Sequence, residues 1–220
     1  MRKERMIVLD TETANALDCA LVYDLGWAVV DKSGKVYESH SYAISETFND
    51  CDTMNTAYYA RKVPSYWAEI ARKERKLVKF ATARKRLLAC IKRHHITTVY
   101  AHNMRFDCSA LNNTIRYLTA SKERFFFPYE IQLMDTLKGA RQALKDNADY
   151  TEFCKANNYM ITDKAPRFTA EILYRYITNN NDFREVHKGI DDVMIEKEIM
   201  CYCYKIDENV DMRWGVKKDE

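Results

Sequence analysis

The residues with chemistry to offer fall into three groups. The first is Asp10 and Glu12, which follow the apolar run Met6-Ile7-Val8-Leu9. Such a run suits a strand buried on both faces. Strand side chains alternate, so both acids point the same way from its last residues. At ~4 Å and an effective dielectric of ~20, two like charges repel by about 4 kcal/mol. Either one takes up a proton, or a cation lies between them. The alternative is a strand that ends at Asp10 with both acids in water. The second group is His102-Asn103-Met104-Arg105-Phe106-Asp107, after which Leu111, Ile115 and Leu118 mark a buried helical face. Asp107 then sits near the first helical turn, either as a site acid or as a plain N-cap. The third group, His187-Lys188-Gly189-Ile190-Asp191-Asp192, opens a helix that runs on through Ile195, Ile199 and Tyr202. At ~100° per residue, His187 and Asp192 lie about 140° apart on a helix. They reach one site only if His187 is in the loop and Asp192 in the helix. Otherwise the histidine is a surface residue and Asp191 and Asp192 are ordinary first-turn acids.

The elements that must position these groups are readable in outline. Leu21 to Asp31 forms a second strand, Lys32-Ser33-Gly34-Lys35 a turn, and Val36 to Ile44 a third strand pairing back. The three make a meander. Helices are expected on either side of Pro64, and a helix over Leu77 to His94 carries a basic face opposite its apolar stripe. Ile96 to Ala101 is a β-branched fourth strand that delivers the second group, and Tyr129 to Met134 is a short fifth strand ending at Asp135-Thr136. Helices follow over Leu137 to Lys145, Tyr150 to Asn157 and Phe168 to Thr178. The order predicts an α/β chain with a mixed sheet covered on both faces.

At 220 residues the chain fits one domain, residues 1–220, with 47% hydrophobic and 30% charged residues as in ordinary globular proteins. No apolar run approaches the ~20 residues that span a bilayer, and the four apolar residues after Met1-Arg2-Lys3-Glu4-Arg5 are too few for a signal-peptide core. A cytoplasmic address is expected. The seven cysteines are odd in number and lack a Cys-x-x-Cys pair, which argues against zinc and against a disulfide framework. The net charge of +3 is unevenly spread: between Arg61 and His95 twelve Lys and Arg face only Glu69 and Glu74. That window suits a polyanionic partner or a solvated helix face. Tyr58, Tyr59, Tyr66 and Trp67 beside it would stack on a single strand.

Taken together, Asp-x-Glu closing a strand, His-Asn-x-x-Phe-Asp opening a helix and His-x-x-x-x-Asp near the carboxyl end resemble the DnaQ-like 3′→5′ exonucleases. These form the DEDDh branch of the ribonuclease-H-like nucleases. The resemblance spans Ile7 to about Met200 and includes Leu133-Met134-Asp135-Thr136 and Ala170-Glu171-Ile172-Leu173-Tyr174. Lys188 stands where the sister branch carries Tyr. The resemblance implies a ribonuclease-H-like, mixed five-stranded sheet, an antiparallel meander of three strands plus two further parallel strands, flanked by helices. It implies two Mg2+ or Mn2+ ions held by Asp10, Glu12, Asp107 and Asp192, with His187 as general base. Thr13, Asn15, His102, Asn103 and Phe106 would face the substrate, a 3′ end of single-stranded DNA or short RNA. No membrane is implied. A polymerase or other protein partner is possible, since a chain of this size has no polymerase domain; oligomeric state is not implied.

Two departures stand out. Ala14-Asn15 occupies the place where many relatives have Gly, and Gly189 replaces a common Ala, a change between small residues expected to matter little. The segment 48–80 reads as a basic helical elaboration that holds the substrate strand. Two rivals remain: a nucleic-acid-binding module that has lost catalysis, and a phosphodiesterase of the same fold acting on dinucleotides or modified nucleotides.

Overall fold

The computed structural model describes residues 4–119, 122 and 124–215. Its main sheet is built from β1 (Met6–Ala14), β2 (Leu21–Val30), β3 (Val36–Ile44), β4 (Lys76–Val78), β5 (Thr98–Ala101) and β6 (Gln132–Asp135), in the spatial order β4-β3-β2-β1-β5-β6. β1, β2 and β3 form the expected antiparallel meander; β5 runs parallel to β1, and β6 parallel to β5. The sheet thus has six strands rather than five. β4 pairs parallel to β3 through Tyr42↔Lys76, Ala43↔Leu77 and Ile44↔Val78. Three residues are too few to show alternation, and Leu77 reads equally well as the start of the helical stripe that follows.

The helices are α1 (Ser45–Phe48), α2 (Cys51–Asn55), α3 (Val63–Ala71), α4 (Phe80–His94), α5 (Met104–Leu118), α6 (Thr136–Leu144), α7 (Ala148–Ala156), α8 (Ala170–Thr178) and α9 (Gly189–Ile206). Pro64 lies inside the first turn of α3 rather than between two helices, the one helical position where its missing N–H costs nothing. A short hairpin, β7 (Met160–Thr162) and β8 (Ala165–Pro166), follows α7.

Alternation along β1 divides the core. Ile7 and Leu9 join Leu25, Trp27 and Val29 under α4 and α5. Met6 and Val8 join Ala28 and Val30 under α6, α8 and α9. Each fully buried Leu, Ile or Val contributes about 1.5–3 kcal/mol, so both faces hold β1 at the centre of the sheet. A third, smaller cluster of Tyr23, Phe48, Met54, Ala57 and Tyr66 fixes the segment between β3 and β4 onto the meander. Among the described residues no helix is long and apolar enough to cross a membrane.

Candidate active site

β1 does not end at Asp10. It continues to Ala14, so Asp10 and Glu12 are strand residues opposite Gly26 and Asp24 of β2, with a register shift after Glu12. Both belong to the face that Met6 and Val8 present to α9. On its other edge β1 pairs with β5 only at Ile7 and Val8. β5 ends at Ala101, and further along this edge of β1 the Thr11 N–H meets Asp107 of the helix that follows β5. Ligands of open α/β sheets bind at such carboxyl ends.

Asp107 is the fourth residue of α5, not its cap. The N-cap is Asn103, in the left-handed region at φ 72°. The Asn103 backbone N–H donates to Asp135 Oδ1 at 3.0 Å, and the same carboxylate caps α6 through Leu137 N–H at 2.9 Å. With the turn held in this way, Asp107 faces β1 and accepts from Thr11 N–H (3.1 Å) and Thr11 Oγ1 (2.8 Å).

From the third group, His187 precedes α9 and Asp192 lies in its first turn. Their placement depends on contacts the sequence does not show. His187 has φ 52°, and its ring stacks on Tyr59 with centroids 4.2 Å apart and planes 15° off parallel. Lys62 Nζ donates to the carbonyls of Val186 and His187, and Lys188 pairs with Glu69. The fully buried Asp24 accepts from Gly189 N–H (3.0 Å), Tyr66 Oη (2.7 Å) and Arg75 Nη1 (2.5 Å). The start of α9 is thereby tied to both β2 and α3. Gly189 is also less replaceable than a small-for-small exchange suggests. A Cβ on it would lie 2.8 Å from Gly26 N and 3.2 Å from the Asp10 carbonyl oxygen.

Glu12, His187 and Asp192 each bring a ligand atom within 4.8 Å of the others. Asp10 lies within electrostatic range of Glu196, Asp107, Asp192 and Glu12. Burial pushes every acid of the group upward, and neighbouring carboxylates add to it. Asp10 rises well above the carboxylate range; Glu12 is pushed to about 9, Asp192 to about 8 and Asp107 to about 7, burial being the largest cause in each. His187 moves down, first through burial and then through the Lys62 charge, so its imidazole is neutral at pH 7. Asp10 Oδ2, Asp192 Oδ1 and Glu196 Oε2 are buried without a hydrogen-bond partner. Buried polar atoms are seldom left so. Hard oxygen donors clustered with one imidazole fit Mg2+ or Mn2+.

The other sequence-derived residues are placed as follows. Thr13 follows the register shift in β1. Asn15 takes φ 69°, the conformation in which a Gly would be at ease, and its backbone N–H donates to Thr56 Oγ1 at 2.7 Å. His102 has both ring nitrogens engaged within the protein, with Thr136 Oγ1 (3.0 Å) and the Phe168 carbonyl (2.8 Å). Asn103 is exposed beside the site, and Phe106 packs partly against the core under α5.

Sequence reasoning missed Glu196 and Glu185, and it read Tyr59 and Lys62 as facing a nucleic-acid strand, whereas they hold the His187 loop. Glu196 had a signal: it lies four residues after Asp192 and next to Ile195, an acid on the buried side of a helix. Tyr59 and Lys62 reach His187 from a segment with no periodicity, which no spacing rule links to it. A second group with ligand-type side chains, Glu38, Cys90 and His94, is an ion-pair network instead. Arg5 Nη1 donates to His94 Nδ1 at 2.8 Å, so the His94 proton sits on Nε2, which donates to Glu38 at 2.7 Å. Arg93 and His40 occupy the remaining acceptor positions of that carboxylate.

No family model and no curated protein matches the sequence. The fold has relatives among solved structures. Escherichia coli exonuclease I in complex with a dT13 oligonucleotide matches with a TM-score of 0.61 at 13% identity over 95% of this chain. Its zinc-bound complex with single-stranded DNA matches with a TM-score of 0.59 at 14% identity, and its apo form does so equally. The chain spans 42–44% of the exonuclease I chain. At this identity the likeness is one of fold: the mixed sheet and its flanking helices are shared with exonuclease I.

Proposed function

We propose that this chain is a metal-dependent 3′→5′ exonuclease that removes nucleotides from single-stranded DNA or short RNA. The observation that carries the reading is the gathering of Asp10, Glu12, Asp107 and Asp192, from three separated stretches of sequence, with buried oxygens left unpartnered beside a neutral His187. The fold shared with exonuclease I, whose structures hold single-stranded oligonucleotides, supports the substrate class.

Asp10, Glu12, Asp107 and Asp192 would hold two divalent ions, Mg2+ or Mn2+, which when bound activate a water and offset charge on the scissile phosphate. The protein's own part is positioning and proton transfer. The Tyr59 stack and the Lys62 contacts hold the His187 ring at the rim, where its free nitrogen takes the proton of the attacking water. Glu185 Oε2, 3.8 Å from His187 Nδ1, supports the imidazolium that results. Thr11 keeps the Asp107 carboxylate turned toward the site. Segment 48–80 acts as an elaboration that sets the histidine loop and lies along the strand.

The test is a time course with 5′-labelled single-stranded DNA and RNA in Mg2+ or Mn2+ against EDTA. A ladder shortening one nucleotide at a time from the 3′ end, abolished by EDTA and by Asp10→Ala, is expected. Metal-independent cleavage, or loss of the 5′ label as a mononucleotide, would overturn the reading. Strand binding without turnover would instead favour a binding module.

A further inference from the structure

Glu196 is the acid that none of the motifs accounts for. It stands one turn beyond Asp192 on α9, 3% exposed, and is the strongest like-charge neighbour of Asp10. Its other charged neighbours are Asp107, Asp192 and Glu185, all acids, and its favourable contact is with the His102 backbone N–H. A buried acid so surrounded is costly unless something offsets it. One offset is a proton shared with Asp10, but a shared proton requires the two carboxyl groups to be bonded oxygen to oxygen. Asp10 Oδ2 and Glu196 Oε2 are both buried without a hydrogen-bond partner, and in the metal-free protein each acid is raised well above its usual range and carries its own proton. A cation is the other offset, and it answers both unpartnered oxygens at once.

Resting on the metal-dependent reading above, we propose that Glu196 is a further carboxylate ligand of the metal centre. It lies within electrostatic range of Asp10 and Asp107, whereas the ligand atoms of Glu12, His187 and Asp192 gather as a separate trio. The consequence concerns loading. Mg2+ at such sites commonly borrows substrate phosphate oxygens to complete its shell. A fifth carboxylate lets this chain take up both ions before the nucleic acid arrives.

The test is calorimetric titration of the full chain with MnCl2, without nucleic acid, on wild type, Glu196→Gln and Glu196→Asp. Wild type should take up two ions. Glu196→Gln should lose about tenfold or more in affinity for one and keep the other, since even outer partners alter metal affinity by 10–100-fold. Glu196→Asp, charged but shorter, should fall between. Gln still offers an acceptor to the His102 N–H, so a merely structural role leaves both affinities unchanged, and that result overturns the proposal. The melting midpoint of the Gln variant should gain less than that of wild type on adding Mn2+. An equal gain in the two proteins also overturns it. Should the Gln variant fail to fold, an Asp variant that titrates like wild type does the same. A wild type that takes up no Mn2+ removes the metal-dependent reading itself, and the role of Glu196 with it.

Discussion

At the scale of single residues, the chemistry lies in acids that would not choose each other's company. Asp10, Glu12, Asp107 and Asp192 all have their proton affinities raised, and in each case burial leads the causes. This fixes the sign of a pH effect. In the unfolded chain these groups ionise near their usual pH of ~4, whereas in the metal-free fold Asp107, Asp192 and Glu12 hold protons up to about 7, 8 and 9. Their contribution to stability is therefore complete below the unfolded values and is lost as pH rises through the folded ones. Melting in EDTA should show the midpoint falling by several degrees between about pH 5 and pH 9, with the fall flattened by saturating Mn2+. A midpoint that climbs across that range in EDTA would contradict the burial of these groups. For the same reason Mn2+ uptake should release protons and strengthen with pH. His187 differs in kind, since its loss leaves the carboxylates in place. His187→Ala should lower kcat by about 10²–10⁴-fold, the usual share of a general base, while Mn2+ titration shows uptake better preserved than in Asp10→Ala.

At the scale of elements, the question is what brings α9 down onto β1. The sequence announced the parts well: β3 was expected where it lies, and α9 with its preceding histidine loop was set by the spacing of His187, Asp192, Ile195 and Ile199. What it did not announce was the contact between them. Gly26 drew no remark and Gly189 read as a small-for-small exchange of little weight, yet a Cβ on Gly26 would lie 2.4 Å from Gly189 C and Ile190 N, both backbone atoms. Nothing in a flexible side chain can give way there. Gly26→Ala should therefore push α9 off the sheet, costing about 3 kcal/mol or more as severe overpacking does, and should weaken Mn2+ binding, because α9 carries Asp192 and Glu196. Gly34→Ala provides the contrast. It strains a left-handed turn at φ 82° with only Cys201 Sγ nearby, so it should cost about 1 kcal/mol and leave Mn2+ affinity as in wild type. Equal metal affinity in the two variants would show that the Gly26–Gly189 contact does not position the site. β4 was missed for a related reason: a three-residue strand is specified by its neighbour β3, not by its own pattern.

At the scale of the whole molecule, a count of charges proved a poor guide to where they act. Of the twelve cations between Arg61 and His95, six are engaged within the protein. Lys62 holds the histidine loop, Arg75 joins Asp24 and Glu69, and Arg72 pairs with Glu74. Arg93 meets Glu38, Arg84 donates to the Phe126 carbonyl, and Arg86 lies over the Tyr42 ring. Sequence alone could not divide these from Arg61, Lys73, Lys76, Lys79, Lys85 and Lys92, which are exposed, because a basic side chain carries no mark of its partner. The division bears on substrate length. Each phosphate neutralised on a single strand adds about −0.7 to the slope of log affinity against log salt. The exposed cations run from Arg61 before α3, through Lys73, Lys76 and Lys79 around β4, to Lys85 and Lys92 on α4, and a single strand from one 3′ end is expected to meet only some of them. The slope for a long oligonucleotide should then be about −1.5 to −3, from two to four contacts, rather than the steeper value that twelve cations would give. A trinucleotide seated at the acids alone should lie near zero. Binding measured on the Asp10→Ala variant, over a series of lengths and salt concentrations, separates the cases. A flat slope at every length would mean that the basic segment serves the histidine loop and not the strand, which is the behaviour expected of a phosphodiesterase for very short substrates.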